Sequence, residues 1–272
     1  MSTDPSHVRL PLDGNPAVPR AGDHWSSRIA VTCDWTLNGY TLDKRTEPVK
    51  AILTVTMPEH PTPRSPFKRV GGHPVTDFIN TVGGRVPGAR HAGHDYADRI
   101  VGERLGRFDD LLAWGAECGL LTPAEGRRIA RSPAGVRQTA YGRAIEFRAA
   151  LYRLFKAALE DWPPPSNDLD ALASVAEDAR GTQRLHRERG RPAWVWPPDG
   201  NPDRIVRTLA LSAVELLASP DLERVRQCPG ERCGWLFLDT SRNHSRQWCD
   251  MRDCGNLAKV RRFRTRRTGG GR

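Results

Sequence analysis

The alternation of apolar and polar positions divides the chain near residue 70. Before that point, Pro5, Pro11, Pro16, Pro19, Pro48, Pro58, Pro61, Pro63 and Pro66 interrupt every long periodicity, and residues 49–57 (VKAILTVTM) alone read as a strand. Residues 1–69 are therefore expected to be a disordered extension. From His73 the pattern becomes regular. A short apolar segment, residues 73–82, is followed by a loop rich in Gly, Pro and His, and residues 101–105 read as a short strand. Phe108, Leu111, Leu112, Gly115, Cys118 and Leu120 are spaced for an amphipathic helix closed by Gly119. Thr122-Pro123-Ala124-Glu125 has capping-box spacing with proline at the first helical position, so a helix restarts there. The longest helix is predicted over residues 140–160, with Ala144, Phe147, Leu151, Leu154, Phe155 and Ala158 on its buried face and Trp162-Pro163-Pro164-Pro165 ending it. A further helix covers 169–179. Residues 182–186 and 193–196 flank Arg189-Gly190-Arg191-Pro192 as a hairpin, and the apolar helix 205–218 leads through Ser219-Pro220 to the last segment.

That last segment, residues 223–267, changes the chemistry. Its cysteines fall in two close pairs, Cys228-x4-Cys233 and Cys249-x4-Cys254, separated by fifteen residues. Each pair can supply two thiolates from one tight turn, and the gap brings the turns together, which is what a tetrahedral Zn²⁺ site needs. Two disulfides or reduced core thiols are the plainer alternative, and His244, in a polar turn, is a rival fourth ligand. Residues 235–238 (WLFL) read as a strand, 239–246 as a polar turn, and Gln247-Trp248-Cys249 as the returning strand of a hairpin. A helix follows Cys254. A knuckle, a hairpin and a helix at the fourth ligand describe a treble-clef-like finger. The expected class is α+β: a largely helical domain over 70–222 with small β elements, then this finger, then a flexible tail, 268–272. The finger's few apolar residues (Trp235, Leu236, Phe237, Leu238, Trp248, Val260, Phe263) are too few for an independent core, so metal is expected to supply much of its folding free energy.

Charge sharpens the picture only through its distribution. Formal net charge is +10, but just five of the 42 basic residues are lysines, a bias that GC-rich coding alone can produce. Most of the excess lies after Cys228. Lys259, Arg261, Arg262, Arg264 and Arg266 follow the fourth cysteine with no acid among them. With Leu257, Val260 and Phe263 turned toward the hairpin, Lys259, Arg262 and Arg266 would form an outward face for DNA. A solvated tail that holds any polyanion weakly is the bland alternative. No run of eighteen apolar residues occurs, so no membrane span is expected, and the cysteine usage suits a reducing cytoplasm.

Two stretches resemble known families. The run Cys233-Gly234-Trp235-Leu236-Phe237-Leu238-Asp239-Thr240-Ser241-Arg242-Asn243, then Arg246-Gln247-Trp248-Cys249 and Cys254-Gly255-Asn256, closely resembles the CGNR zinc finger, departing where Leu257 stands in place of the naming arginine. Asp77-Phe78-x-Asn80-Thr81, Asp109-Asp110-Leu111-Leu112-x-Trp114 and Gly119-Leu120-Leu121 resemble the ABATE domain. That resemblance implies a stress-induced transcription regulator with an α+β domain of largely helical content and brings no known ligand; the expected role of that domain is to sense a small-molecule effector or to form a homo-oligomer. An effector- or protein-binding module with a purely structural finger is the alternative.

Other residues carry weaker signals. His73, Asp77 and Asn80 place polar atoms in an apolar segment and form a candidate ligand site, although Asp77 as a cap and Asn80 as a partner for buried backbone is the simpler reading. His91 and His94 could bind a metal but sit among glycines. Asp109 and Asp110 suit a helix start. Cys118 suits a core thiol. Trp194 and Trp196 could form a stacking platform, though packing on the sheet is simpler. No Ser-His-Asp pattern, P-loop, Gly-x-Gly-x-x-Gly or HExxH is present, and no enzyme is expected.

Overall fold

The computed structural model describes residues 67–86, 98–188 and 190–269. The strand expected over 49–57 and the His91/His94 pair lie outside them. The described residues all fall in one compact unit, residues 60–272. Helix α1 (Pro74–Ile79) leads into strands β1 (Val82–Val86) and β2 (Arg99–Glu103), which pair antiparallel with Val82 opposite Glu103. Helices α2 (Phe108–Glu117), α3 (Pro123–Ala130), α4 (Ala134–Leu159) and α5 (Ser166–Thr182) follow. The hairpin β3 (Arg184–Glu188) and β4 (Arg191–Val195) precedes α6 (Arg204–Leu217), and a 3₁₀ turn leads into β5 (Val225–Gln227).

The helix signals locate three starts and stops well. Glu125 accepts from the Thr122 N–H at 2.8 Å while Thr122 Oγ1 accepts from the Glu125 N–H, which closes the expected capping box of α3. Asp110 does the same work for α2 by accepting from the N–H groups of Gly106 and Arg107. Gly119, just past α2, has φ +70°, the left-handed stop a glycine allows. Helix α4 starts six residues before the expected position, at Ala134, and it is the element around which the body packs. Phe147, Leu151, Leu154 and Phe155 meet Phe78 and Ile79 of α1, Leu111 and Trp114 of α2, Leu172 of α5, and Ile205 and Leu209 of α6 in one core.

Three expectations fail here. Residues 83–86 belong to strand β1 rather than to the expected loop, whose remainder lies outside the described residues, and β2 lies two residues earlier than the expected strand. Trp194 is not packed on its sheet: it stands 54% exposed opposite Leu185, while Trp196 lies under the Arg204 guanidinium, 4.1 Å from its ring centre.

A buried cation fastens β2 to the body. Arg148, in the middle of α4 and 1% exposed, donates to both Glu103 carboxylate oxygens at 2.5 and 2.8 Å and to Thr81 Oγ1 at 2.8 Å. Burial opposes the charge on Glu103, but hydrogen bonds from Arg148 and nearby amides outweigh it and hold the carboxyl below the usual range.

Candidate metal centre and basic helix

The first cysteine pair closes a tight turn between β5 and β6 (Leu236–Leu238). Cys233 N–H donates to the Gly230 carbonyl at 2.9 Å, and Cys228 N–H to that of Trp235 at 2.8 Å. The second pair spans the entry to a single π turn, Met251–Gly255, with Cys249 before it and Cys254 within it, and Asp250 caps it by accepting from Arg252 N–H at 2.8 Å. Helix α7 (Asn256–Gly269) continues from it. The turns bring the four Sγ atoms within 4.8 Å of one another, with Cys233 to Cys249 at 3.4 Å and Cys249 to Cys254 at 3.6 Å. Thiolates at about 2.3 Å from a tetrahedral Zn²⁺ sit roughly 3.8 Å apart, so the cluster has the right size and donor set.

None of these cysteines is in a disulfide, and Cys228 and Cys249 are buried. The thiols perturb one another. Hydrogen bonds from Cys233 and Cys249, joined by the amides of Cys249 and Gly230, pull Cys228 far below its ordinary range. The contact with Cys228 pushes Cys233 and Cys249 up, and burial pushes Cys254 up. Thiols this crowded can exchange their protons for one dication. His244 is not among them: it occupies the polar turn at φ +47°, its Nδ1 3.4 Å from the Asp239 carbonyl.

The hairpin differs from the expected one. β6 pairs with β5, upstream of the knuckle, with Val225 opposite Leu238, and residues 247–249 form no strand. The reason is Arg246. Its guanidinium donates to the carbonyls of Trp248 at 3.0 Å, of Val70 at 2.6 Å and of Cys249, and it stacks 4.4 Å from the centre of Phe237. Carbonyls engaged this way are not free for a strand ladder. The turn before it is built on Asp239, fully buried, which accepts from Ser241 N–H and Oγ and from Arg246 N–H. Burial opposes its charge, yet those bonds hold its carboxyl below the usual range. Sequence reasoning passed over Arg246; its place three residues before Cys249 was the available signal.

Asn80 joins this hairpin to the body. Its amide donates to the Leu236 carbonyl at 2.7 Å and accepts from the Leu236 N–H at 3.0 Å, as a neighbouring strand would. Trp235 Nε1 donates to Val82 O at 3.1 Å, Arg85 N–H to Cys233 O at 2.8 Å, and Leu238 N–H to Gly71 O at 2.7 Å. Asp77 accepts from Gly71 N–H at 2.7 Å, and His73 caps α1 by accepting from Val75 N–H. All three residues of the candidate ligand site thus engage backbone groups of this chain.

Helix α7 presents the opposite situation. Gly255 is buried and Ala258 half-buried, but every residue from 259 to 267 is exposed. Leu257 and Phe263, expected to face the hairpin, are 57% and 61% exposed, because the helix leaves the finger within its first turn. Lys259, Arg261, Arg262, Arg264 and Arg266 are all exposed, and Arg261 pairs with Glu231 of the knuckle at 2.8 Å. Where α7 leaves, a groove of about 570 Å³ runs over the knuckle, with Lys68, Arg104, Arg232, Arg261 and Arg262 along it and Trp235 and Trp248 at its base.

Both parts of the chain, the body and the knuckle, match known families. Residues 72–220, more than half of the chain, match the ABATE family, described as "Putative stress-induced transcription regulator". The chain belongs to the ABATE family. Residues 224–267 match the CGNR zinc finger, so this ABATE chain carries that finger at its C-terminal side. Both are regulator or zinc-finger families rather than enzyme families. No curated protein matches the chain. Among the described residues no helix is long and apolar enough to cross a membrane.

Proposed function

We propose that this ABATE protein is a zinc-binding transcription regulator in which Cys228, Cys233, Cys249 and Cys254 hold one Zn²⁺ and the finger presents α7 to DNA. The observation that carries the reading is the join between the two: a helix with six basic residues, no acid and no covered face after its first turn grows directly out of the four-thiolate cluster. Metal would fix where the helix leaves the body, and Arg261–Glu231 would fix its angle against the knuckle. Lys259, Arg262 and Arg266 are then placed for phosphate or base edges, with Arg264 beside them, and Arg104 and Arg232 add basic groups in the groove, where Lys68 pairs with Asp253 and Arg261 with Glu231.

The alternative, a finger with a purely structural role, draws support from Asn80, Trp235 and Arg246, which tie it into the body. A salt series separates the two. Fluorescence anisotropy with duplex DNA, on the full chain and on a chain ending at Gly255, should give a log–log salt slope that is shallower in the shortened chain by about 3 or more, at roughly −0.9 per phosphate neutralised. Equal affinity and equal slope would remove DNA binding by α7 and leave the structural reading.

A further inference from the structure

Away from the finger, α4, α5 and α6 surround a cavity of about 370 Å³, within the ~300–1,000 Å³ typical of small-ligand sites. Its floor is apolar: Phe147 and Ala150 from α4, Val175 from α5, Val206 from α6. Around its rim each pair of helices is tied by one arginine–aspartate pair. Arg153 of α4 grips Asp168 of α5 at 2.6 and 2.7 Å, Arg143 of α4 grips Asp203 at the start of α6 at 2.6 and 3.1 Å, and Arg207 of α6 meets Asp178 of α5 at 2.7 Å. Three helices braced pairwise hold an apolar cleft open, with alanines at 150 and 171 leaving the volume unfilled.

The charges say what the cleft accepts. Every arginine lining it already faces a carboxylate. Glu146, also on the lining face of α4, has no ion-pair partner among the described residues. The surplus charge at the rim is therefore negative. From this we infer that the cleft is a binding site for a small, flat or globular apolar molecule bearing one positive charge, with its apolar body on Phe147, Ala150 and Val206 and its cationic group at Glu146. This inference gives a place and a ligand chemistry to the effector sensing in the regulator reading, on which it rests for its biological sense though not for its physics.

Three probes of nearly one shape test it directly: 9-aminoacridine as the cation, acridine as the neutral ring and anthracene-9-carboxylate as the anion. They are titrated into the full chain at pH 8, without DNA, and followed by fluorescence. The cation should bind saturably at one site, at least about tenfold tighter than the anion, because Glu146, itself exposed, attracts the one and repels the other while both rings bury on the same apolar floor. Glu146→Gln should bring the cation's affinity down to that of acridine and leave acridine unchanged. Glu146→Lys should reverse the preference. Ala171→Phe, at the exposed rim, should weaken the cation and acridine alike by about tenfold or more by filling the cleft. Circular dichroism confirms that each variant is folded. The inference is overturned by absence of saturable binding, by no charge preference, or by binding that survives Ala171→Phe. Failure of the DNA salt series, with the probes still bound, would remove the regulator reading and leave the cleft standing.

Discussion

The two halves of the finger obey opposite rules. Its hairpin is built into the body: Val225, Leu236 and Leu238 belong to the main core, and Trp235 and Phe237 pack with Val82 and the cysteines. Its helix is exposed from residue 259 to 267, and Val260 and Phe263 stand in solvent beside a run of arginines. One segment of some forty-five residues, 224–267, thus holds an element buried in the body and an element exposed to solvent. The four-cysteine cluster sits at the junction. The difference teaches that a small metal domain need not choose between being a structural clasp and a recognition arm: it can place each role on a different side of the same four thiolates.

The largest effect that could break this comparison is loss of the metal. Cys249→Ser in the full chain should abolish zinc retention. In isolated fingers metal binding amounts to roughly 10 kcal/mol or more; here the body props the hairpin, so a loss of several kcal/mol is expected. Because β6 lies in the body's core, calorimetry should show one depressed transition for the whole unit. A body transition that stays at the parent temperature would mean that hairpin and body are separable. Full zinc occupancy in the variant would refute the ligand assignment.

Next in size is Asn80→Ala. The substitution leaves the N–H and C=O of the buried Leu236 without partners, and it should cost roughly 2–4 kcal/mol in denaturant unfolding while zinc content stays at one per chain. A cost below about 0.5 kcal/mol would show that the hairpin keeps its place by side-chain packing alone.

Much of the body was legible because its signals are local. The Thr122 capping box and the glycine stop at 119 each act over a few residues, and the β3–β4 hairpin was legible with its strands displaced by about two residues, Arg191 and Pro192 belonging to β4 rather than to the expected turn. What stayed hidden depends on distant approach. Residues 82–86 (VGGRV) resemble a loop in sequence, yet a Cβ on Gly84 would lie 1.9 Å from the Arg232 carbonyl, so glycine is there to let a strand pass the knuckle. α1 has six residues, too few for periodicity to show. The four cysteines were legible as a cluster, since pair spacing is itself geometric. The apolar residues of α7 misled for the converse reason: helical spacing shows that Leu257, Val260 and Phe263 share a side, but it cannot show that anything covers that side.

The junction should also respond to pH. Asp77, which holds the Gly71 amide beside the Leu238 contact, has its pKa raised to about 6, chiefly by burial, against which the Gly71 hydrogen bond and the charges of Arg69 and Arg246 work. The folded state therefore holds this proton more tightly than the unfolded chain, where the value is about 3.9. Its contribution to stability is full below about pH 4 and is lost as pH rises through 6. Asp77→Asn keeps an oxygen to accept from Gly71. It should raise stability at pH 7.5 by about 1–3 kcal/mol and flatten the dependence between pH 4 and 6. An unchanged slope in that window would assign the pH response to other groups.

The smallest expected effect is the most direct measure of how free α7 is. Phe263→Ala removes a large ring that is 61% exposed and lies 5.7 Å from the Arg267 guanidinium on the same helix. With so little area to bury, the change should alter unfolding free energy by less than about 0.5 kcal/mol. Arg262→Ala should be equally silent in unfolding, yet weaken DNA binding, uniformly across sequences if the side chain meets phosphate and at one base position, by about 1–3 kcal/mol, if it reads a guanine. The pair of variants separates the roles by residue type: the arginine acts on binding, and the ring on neither stability nor salt slope. A loss above ~1 kcal/mol on truncating Phe263 would contradict the open helix, because an exposed ring on an isolated helix has no packing of that size to lose. It would mean that α7 is covered in solution, and the contrast between its two halves would then hold for the single chain but not for the protein at work.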